Sequence, residues 1–529
     1  YNFYLCVLSI ATCLITYYCS VKIFQRTKPA LICTALYTLS AVRLTNILTR
    51  AALGEVAAQT FLPLLILGFY EIYSALRGGE KIPLRKYWPI IVGMTGILTS
   101  HTLTTEMSAM VILAVCLIFI RKTLERQRLL ALVRAALLSL LVNLSTLVPM
   151  LDSMRMDMNI NHVVSQIQMT GAYLIQIFNS VVNNYQEYQA TDTASGELSL
   201  SIGFSLTLGL VFYVVYLVKQ KREKDRDERI RAFASLCFGL CAAAIFLSTT
   251  YMFYDYLDFL PDSLYSILTV YQYPWRWLSF AALFGAFGTA AIADSAELKS
   301  VFQGVSVTLL LCAALVINAG QIYADQLRTS ELTRWSNNLN DYYYMVGSSG
   351  EYLLYGTDVS QILSREPDFY GDGLTVADYA CEDGEALLWV DNASDGTALI
   401  DLPLFCYDNY IAYDTQTGES ISITTGENNR IRLNVPAGYT GTIRVEYHFR
   451  KLWLLAIGVS AAVTVLLLLY AGFGEKRLSG KKTTGEKITN GEDRGETSQE
   501  EKTANGEIPA KKTAKDQVLA KETAEGRAQ

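Results

Sequence analysis

Polar and apolar positions along this chain fall into long blocks before they fall into any alternation. Most of the apolar blocks are roughly 18–22 residues long, the length that crosses a bilayer at about 1.5 Å per residue. Eleven can be read, at 3–21, 29–48, 56–76, 88–101, 107–120, 129–150, 200–218, 232–250, 276–293, 301–318 and 451–473. The blocks at 88–101 and 107–120 are short, which points to longer or tilted helices. After about residue 380 the rhythm changes. Leu387–Val390, Leu402–Tyr407, Ser420–Thr424, Arg430–Val435 and Thr442–Tyr447 are short strand candidates. In Arg430-Ile-Arg-Leu-Asn-Val435 every second residue is apolar, as in a half-buried strand, and Ile443, Val445 and Tyr447 repeat that spacing. Thr417-Gly418, Thr425-Gly426 and Pro436-Ala-Gly438 supply the turns.

The pattern predicts a polytopic α-helical membrane protein of about eleven transmembrane helices. Its parts are a multi-span domain over 1–318, a β-sandwich-like domain over 319–450 and a last transmembrane helix over 451–473. The stretch from 320 to about 380 reads as Tyr- and Asp-rich and irregular. Within the multi-span domain, 151–199 is a long loop. There Ile160, Val163, Val164, Ile167, Leu174, Ile175 and Phe178 recur at roughly helical spacing, which suggests one or two amphipathic helices on the membrane face. A packed helical loop without lipid contact fits the same spacing.

Composition supports this division. Hydrophobic residues make up 51% of the chain and charged residues 18%, an apolar balance for a soluble protein of this length. The net charge of −6 conceals opposite regions: 320–450 holds 20 acidic residues and 7 basic ones, all Arg. Basic links at Lys22–Lys28, Arg77–Lys86, Arg121–Arg128, Lys219–Arg231, Asp294–Lys299 and Lys476-Arg477 alternate with the acidic Tyr251–Tyr273. One orientation satisfies the positive-inside rule for all of them. It places 319–450 outside the cell and the C-terminal tail in the cytoplasm. Trp88, Trp275, Trp277 and Trp453 fall at block ends, where an aromatic belt forms. No basic patch gathers on a foldable soluble region, which argues against a nucleic-acid partner.

The tail over 474–529 has 12 bases, 11 acids and no aromatic residue. It cannot bury a core and is expected to be disordered. An odd number of spans with an internal C-terminus puts Tyr1 outside, so a preceding span and outer loop are expected upstream, with proteolytic processing as the alternative. Of the ten cysteines, only Cys381 and Cys406 lie in the polar domain, where an oxidising exterior would permit a bridge that spacing alone does not establish.

The candidate chemistry collects at the outer edge. Arg50-Ala-Ala-Leu-Gly-Glu55 sets a cation and a carboxylate five residues apart, between two apolar blocks. Ionisable groups at that depth are costly and usually have a partner or a ligand. Arg43 lies in the block before them. His101 and Glu106 lie in the turn Ser100-His-Thr-Leu-Thr-Thr-Glu106, and Arg276 in Tyr273-Pro-Trp-Arg-Trp277. If these loops meet, Arg50, Glu55, His101, Glu106 and Arg276 would line a cationic pocket under aromatic rings. Guanidinium forks suit phosphate oxygens, and Trp stacks on sugar faces. Each residue also has a plainer reading: a structural ion pair for Arg50 and Glu55, interfacial hydrogen bonding for His101 and Glu106, a membrane anchor for Arg276. No cofactor is evident. The three His have no zinc-ligand spacing, and no P-loop, dinucleotide or nucleophile-elbow motif occurs. Asp255, Asp258 and Asp262 are the one set that could take a divalent cation, and an acidic loop rim explains them as well. Asn392-Ala-Ser has the form of a glycosylation sequon.

Arg50-Ala-Ala-Leu-Gly-Glu55, followed by Phe61-Leu-Pro-Leu-Leu65 and Gly68-Phe-Tyr70, resembles a group of bacterial polytopic membrane proteins labelled "6-pyruvoyl-tetrahydropterin synthase-related". Ser100-His101, Tyr273-Pro-Trp-Arg276, Gly350-Glu-Tyr-Leu353 and Pro436-Ala-Gly-Tyr-Thr-Gly441 resemble the same group in the same order, over nearly the whole chain up to the tail. The label's soluble enzyme holds zinc through histidines, and this chain has no such cluster. The architecture is instead similar to GT-C-type membrane glycosyltransferases, which take a sugar from a polyprenyl-phosphate donor on the outer face. The resemblance implies a lipid-phosphate role for Arg50 or Arg276, an envelope glycan or wall polymer as acceptor, and a catalytic acid in an outer loop upstream of Tyr1. A non-catalytic envelope assembly or glycan-binding protein is the rival reading. A transporter is a third, which the edge position of the charges and the lack of an inverted repeat disfavour.

Overall fold

The computed structural model describes residues 2–74, 81–162, 167–178, 200–220, 228–257, 259–269, 273–293, 295–302, 306–329, 350, 352–358, 361 and 366–488. Contacts divide the chain into two units, 1–468 and 469–529. In the second, helix continues to Ile488, past the expected end of the last span, and 489–529 lies outside the described residues.

Among the described residues the helices are α1 (Asn2–Phe24), α2 (Thr27–Thr38), α3 (Ala41–Leu48), α4 (Leu53–Ser74), α5 (Leu84–Ser100), α6 (Thr102–Ile118), α7 (Ile120–Thr123), α8 (Arg126–Val142), α9 (Leu144–Ser153), α10 (Leu174–Phe178), α11 (Phe204–Gln220), α12 (Glu228–Leu247), α13 (Asp262–Thr269), α14 (Leu278–Ile292), α15 (Ala296–Val301), α16 (Val307–Thr329) and α17 (Lys451–Ile488). Each apolar block read from the sequence carries a helix. Four of these, α1, α4, α12 and the Lys451–Ala471 part of α17, are long and apolar enough to cross a membrane. The pairs α2–α3 and α8–α9, bent by 41° and 69°, make six if each pair is one span. Thus the block at 29–48 breaks at Leu39–Ser40 and the block at 129–150 at Asn143.

The break at Asn143 is held by side chains of neighbouring helices. Asn143 ends α8 and donates through Nδ2 to Ser139 O (2.7 Å) and to Thr95 Oγ1 of α5 (3.0 Å). The Ser145 amide, freed by the bend, donates to Ser460 Oγ of α17 (2.9 Å). An unpaired amide away from water would cost about as much as a lost hydrogen bond.

Helix α14 is the hub. It is apolar nearly all round and almost wholly buried, as expected of a helix enclosed by others, and α12, α11, α2 and α4 pack on it. Helices α4 and α5 approach closely through small residues, the usual device where hydrocarbon replaces water. A Cβ on Gly96 would collide with the Phe61 ring, and one on Gly68 with Ile90. Helices α1, α8 and α17 expose Phe3, Leu14, Leu137, Leu455 and Leu466, apolar side chains that water would penalise and lipid would cover. The aromatic-belt expectation needs correction at two positions. Trp277 is buried against Phe280 and Trp453 is buried with its indole N–H on Asp152.

The described parts of the loop after α9 are 3₁₀ turns at Asn159–His162 and Ile167–Thr170 and the five-residue α10. Val163, Val164 and 179–199 lie outside the described residues. Leu174, Ile175 and Phe178 are exposed, whereas Ile167, Ala172 and Ile177 are buried. Residues 157–162 are instead tied to the segment before the β domain: the Asn159 amide donates to Leu353 O, the Tyr355 amide donates to Asp157 O, and His162 stacks on Tyr355 at 3.7 Å.

The C-terminal domain is antiparallel. Its strands are β1 (Asp368–Tyr370), β2 (Leu374–Glu382), β3 (Glu385–Asn392), β4 (Ala398–Phe405), β5 (Tyr410–Asp414), β6 (Ser420–Thr425), β7 (Arg430–Val435) and β8 (Thr440–Tyr447), in the order β1-β4-β7-β6-β5-β8-β3-β2. Strand β6 pairs with β5 by its first residues and with β7 by its later ones, so the sheet turns a corner there and folds around one core. Ile431, Leu433 and Val435 of β7 face Leu388 and Val390 of β3, Ile400 and Leu402 of β4, and Ile443 and Val445 of β8 in that core. Strands β1 and β2 occupy the stretch read as irregular, and β5 was also missed. Cys381 and Cys406 are free thiols. Asn392 is fully buried and donates to Gly396, Val435 and Pro436 carbonyls, so the sequon is a structural joint in the folded domain.

Candidate functional site

The link between α3 and α4 is short and strained. Ala51 takes a φ of 51°, a left-handed value that costs a non-glycine residue roughly 1–2 kcal/mol. The turn is held by the Arg50 amide on Thr45 O and the Ala52 amide on Asn46 O. It brings Arg50 back over the first turn of α4, where Glu55 sits. A carboxylate is favourable at that helix end.

Glu55 is 4% exposed and both its oxygens are engaged. Oε2 accepts from Arg50 Nη1 at 2.7 Å. Oε1 accepts from Asn46 Nδ2 at 3.0 Å and from Ser279 Oγ at 3.1 Å. Arg50 Nη1 also donates to Asn46 Oδ1 at 2.6 Å. Behind this layer, Gln59 Nε2 donates to Ser279 Oγ at 2.8 Å. Arg43, 1% exposed, donates to Val56 O, Gln59 Oε1 and Thr12 Oγ1, the last at 2.7 Å. No carboxylate lies within ion-pairing reach of Arg43 among the described residues. A continuous polar chain therefore runs from α1 through α3 and α4 to the start of α14, inside an apolar bundle.

Two more charged or titratable groups act on Glu55, His101 and Arg276. His101 joins α5 to α6 and caps α6: the Thr104 amide donates to its Nδ1 (3.2 Å), with Thr104 Oγ1 at 2.8 Å. With Nδ1 accepting, the ring proton sits on Nε2. Gly54 allows this turn to approach, since a Cβ there would lie 2.7 Å from Ser100 O and 3.4 Å from His101 Cδ2. Arg276 stands 5.3 Å over the Tyr273 ring and 6.0 Å over Trp275, and Arg50 lies 4.2 Å over Trp275. Arg50, Arg276 and His101 all act electrostatically on Glu55.

Four of the five residues named from the sequence, Arg50, Glu55, His101 and Arg276, are thus brought together. Glu106 is not: it is half-buried and no charged group acts on it among the described residues, because it lies more than a turn beyond His101 on α6. Asn46, Gln59, Ser279, Thr12 and Tyr352 were missed. Asn46 is four residues before Arg50 and Gln59 four after Glu55, spacings that share a helix face. Tyr352 is within electrostatic reach of Arg276. It belongs to the 352–358 segment, to which the β domain attaches through Tyr407 OH on Tyr352 O and Asn429 on Tyr355 and Thr357.

A divalent-cation role for the acidic loop gains no geometry. Asp255 accepts from the Gln168 amide (3.3 Å), while Asp258 and the Asp262 side chain lie outside the described residues. No set of three His, Cys, Asp or Glu able to hold a metal occurs among the described residues. Comparison with protein-family models, curated proteins and solved structures gives no match to this chain.

Proposed function

We propose that this is an integral protein of the bacterial cell membrane. It binds a polyprenyl-phosphate-linked sugar at the Arg50–Glu55–His101–Arg276 cluster and passes the sugar to an envelope glycan or wall polymer on the outer face. The eleven-span topology, with 319–450 outside and the tail in the cytoplasm, is part of this proposal and rests on the alternation of basic and acidic links.

The observation that carries the reading is the gathering of donor groups at the cluster. Two guanidiniums, Arg50 and Arg276, and a histidine whose Nε2 carries the ring proton surround the one carboxylate of Glu55. Guanidinium donors of this kind suit phosphate oxygens. The Tyr273 and Trp275 rings, stacked at 5.4 Å, give a sugar a surface. Tyr352 gives the β domain a route to the same place and so to an acceptor.

A second reading has its own support. Both Glu55 oxygens already accept hydrogen bonds, which makes it a poor general base. A non-catalytic glycan-binding or assembly protein would need only the cationic, aromatic face. Arg50→Ala and Arg276→Ala in the full-length protein, with polyprenyl-linked sugars and envelope glycans measured by mass spectrometry, test both readings. Accumulated donor with under-glycosylated envelope supports transfer. Reduced retention of glycan without donor accumulation supports the binding protein. Unchanged donor and envelope in both variants overturns the phosphate site.

A further inference from the structure

Arg43 is a buried charge to which the lipid-phosphate reading gives no task. It lies on α3, is 1% exposed, and pairs with no carboxylate among the described residues. A desolvated charge is costly unless its surroundings are arranged for it. Those surroundings are three acceptors on two helices: Thr12 Oγ1 of α1, and Val56 O and Gln59 Oε1 of α4.

A guanidinium donates hydrogen bonds and never accepts them. The Gln59 amide therefore turns its oxygen to Arg43, at 3.4 Å, and its Nε2 to Ser279 Oγ, at 2.8 Å. Ser279 Oγ accepts that bond, so its own proton goes to Glu55 Oε1, at 3.1 Å. Arg50 acts in the same way from the other side. It donates to Asn46 Oδ1 at 2.6 Å, which leaves Asn46 Nδ2 to donate to Glu55 Oε1 at 3.0 Å. Two chains of fixed direction, each headed by an arginine, thus end on one oxygen of Glu55. The other oxygen, Oε2, accepts from Arg50 at 2.7 Å.

We propose that Arg43 is a positioning residue for the cluster: through Gln59 and Ser279 it holds Glu55 as an acceptor only, and so sets the Arg50 guanidinium that meets the ligand phosphate. The role rests on the lipid-phosphate reading of that site and extends it to a residue the ligand does not touch. With Asn46 and Ser279 sharing its charge on Oε1, Glu55 orients Arg50 without drawing in every guanidinium donor. Once Ser279 ceases to donate, the carboxylate turns towards Arg50 and Arg276 and competes with a phosphate for them. A hydrogen bond to a charged group is worth about tenfold in such an equilibrium.

The full chain in detergent micelles is titrated with farnesyl phosphate, and the unfolding temperature is measured beside the affinity. Arg43→Gln, whose amide presents either end to Gln59, should weaken binding about tenfold. Arg43→Lys, again a donor only, should keep most of it. Gln59→Glu separates position from stability. It gives Arg43 a carboxylate partner, so the unfolding temperature should hold or rise. Its side chain accepts only, however, and takes the Ser279 proton, so affinity should fall about tenfold. A merely structural Arg43 would move temperature and affinity together. Ser279→Ala should weaken binding as much, and the double variant with Gln59→Glu no further, since both break one bond. Additive losses would trace the Gln59→Glu effect to charge repulsion and overturn the proposal, as would unchanged affinity in Arg43→Gln. Absence of binding to the wild type overturns the lipid-phosphate reading instead. The relay is then read without ligand, from the carbon-13 signal of the Glu55 carboxylate, assigned with Glu55→Gln. Arg43→Gln and Ser279→Ala should shift that signal and Arg43→Lys should not; a signal unmoved by Arg43→Gln overturns the positioning role.

Discussion

The guanidinium of Arg50 lies 4.2 Å from the centre of the Trp275 ring. Arg50 therefore holds two elements at once: through Glu55 it closes the strained α3–α4 link, and through Trp275 it reaches the segment leading into α14. A guanidinium is suited to this double role because its edge donates hydrogen bonds while its face stacks.

The ion pair makes the first prediction. Arg50→Ala removes the one counter-charge that hydrogen-bonds buried Glu55, which should cost up to about 3–5 kcal/mol. Adding Glu55→Gln removes the stranded charge and should restore most of that stability. Thermal unfolding in detergent micelles checks this. If the double variant is no more stable than Arg50→Ala, the pair does not organise this end of the bundle.

Gly54 makes the second. Its missing Cβ is what lets the Ser100–His101 turn approach Glu55. Gly54→Val should push the turn away at a cost of about 1–3 kcal/mol in overpacking. It should also weaken the proposed lipid-phosphate binding more than a similarly destabilising change at Gly96, which lies deeper between α4 and α5. Binding measured at matched stability separates the two effects.

How far the sequence could be read depended on the kind of signal. Long apolar blocks located the helices because span length is a backbone property. The break at Asn143 was invisible, because Asn143 and Ser460 stabilise it only once α8, α5 and α17 meet. Strands such as β7, with one face buried, announced themselves by alternation. Most of β2 did not, since none of its residues is fully buried and its register shifts between Ala377 and Ala380. In the site, charged residues stood out from their apolar surroundings and were found. Asn46, Gln59 and Ser279 were passed over, although their helical spacing to Arg50 and Glu55, or proximity to Arg276, marked them. Glu106 shows the opposite error: a charge close in sequence to His101 that the helix turns away.

Asp414 makes the third prediction, a pH dependence. Its carboxylate accepts from the Thr417 and Gln416 amides at 2.7 and 2.9 Å and from Tyr439 OH at 2.7 Å. The Tyr439 bond first, then the Thr417 amide, hold its pKa down at about 2, against an ordinary 3.8. A lowered carboxyl pKa means stabilisation that is complete above the ordinary value and lost as pH falls from about 4 towards 2. Hydrogen-exchange protection over 410–443, corrected for the intrinsic pH dependence of amide exchange, should therefore be steady above pH 4 and fall below it. Asp414→Asn should be faster at neutral pH and show less of that step. An acid step of unchanged size in the variant would assign it to another carboxylate.

The junction between the β domain and α17 makes the last. Asp152 at the end of α9 accepts from Arg450 Nη1 at 2.9 Å and from Trp453 Nε1 at 3.0 Å. Trp453 is buried, so Asp152→Ala leaves its indole N–H unpaired, at about 1–3 kcal/mol. Ser460 is two helical turns further along α17 and ties the same helix to the bend at Asn143. Ser460→Ala strands the Ser145 amide instead. The two losses share no partner and should add to within about 0.5 kcal/mol. Their consequences differ. Asp152→Ala frees the strand-to-helix connection at 448–452 and should expose it to limited proteolysis, whereas Ser460→Ala should loosen the α8–α9 bend and leave that connection resistant. Equal cleavage at 448–452 in both variants would mean that Asp152 does not anchor the β domain.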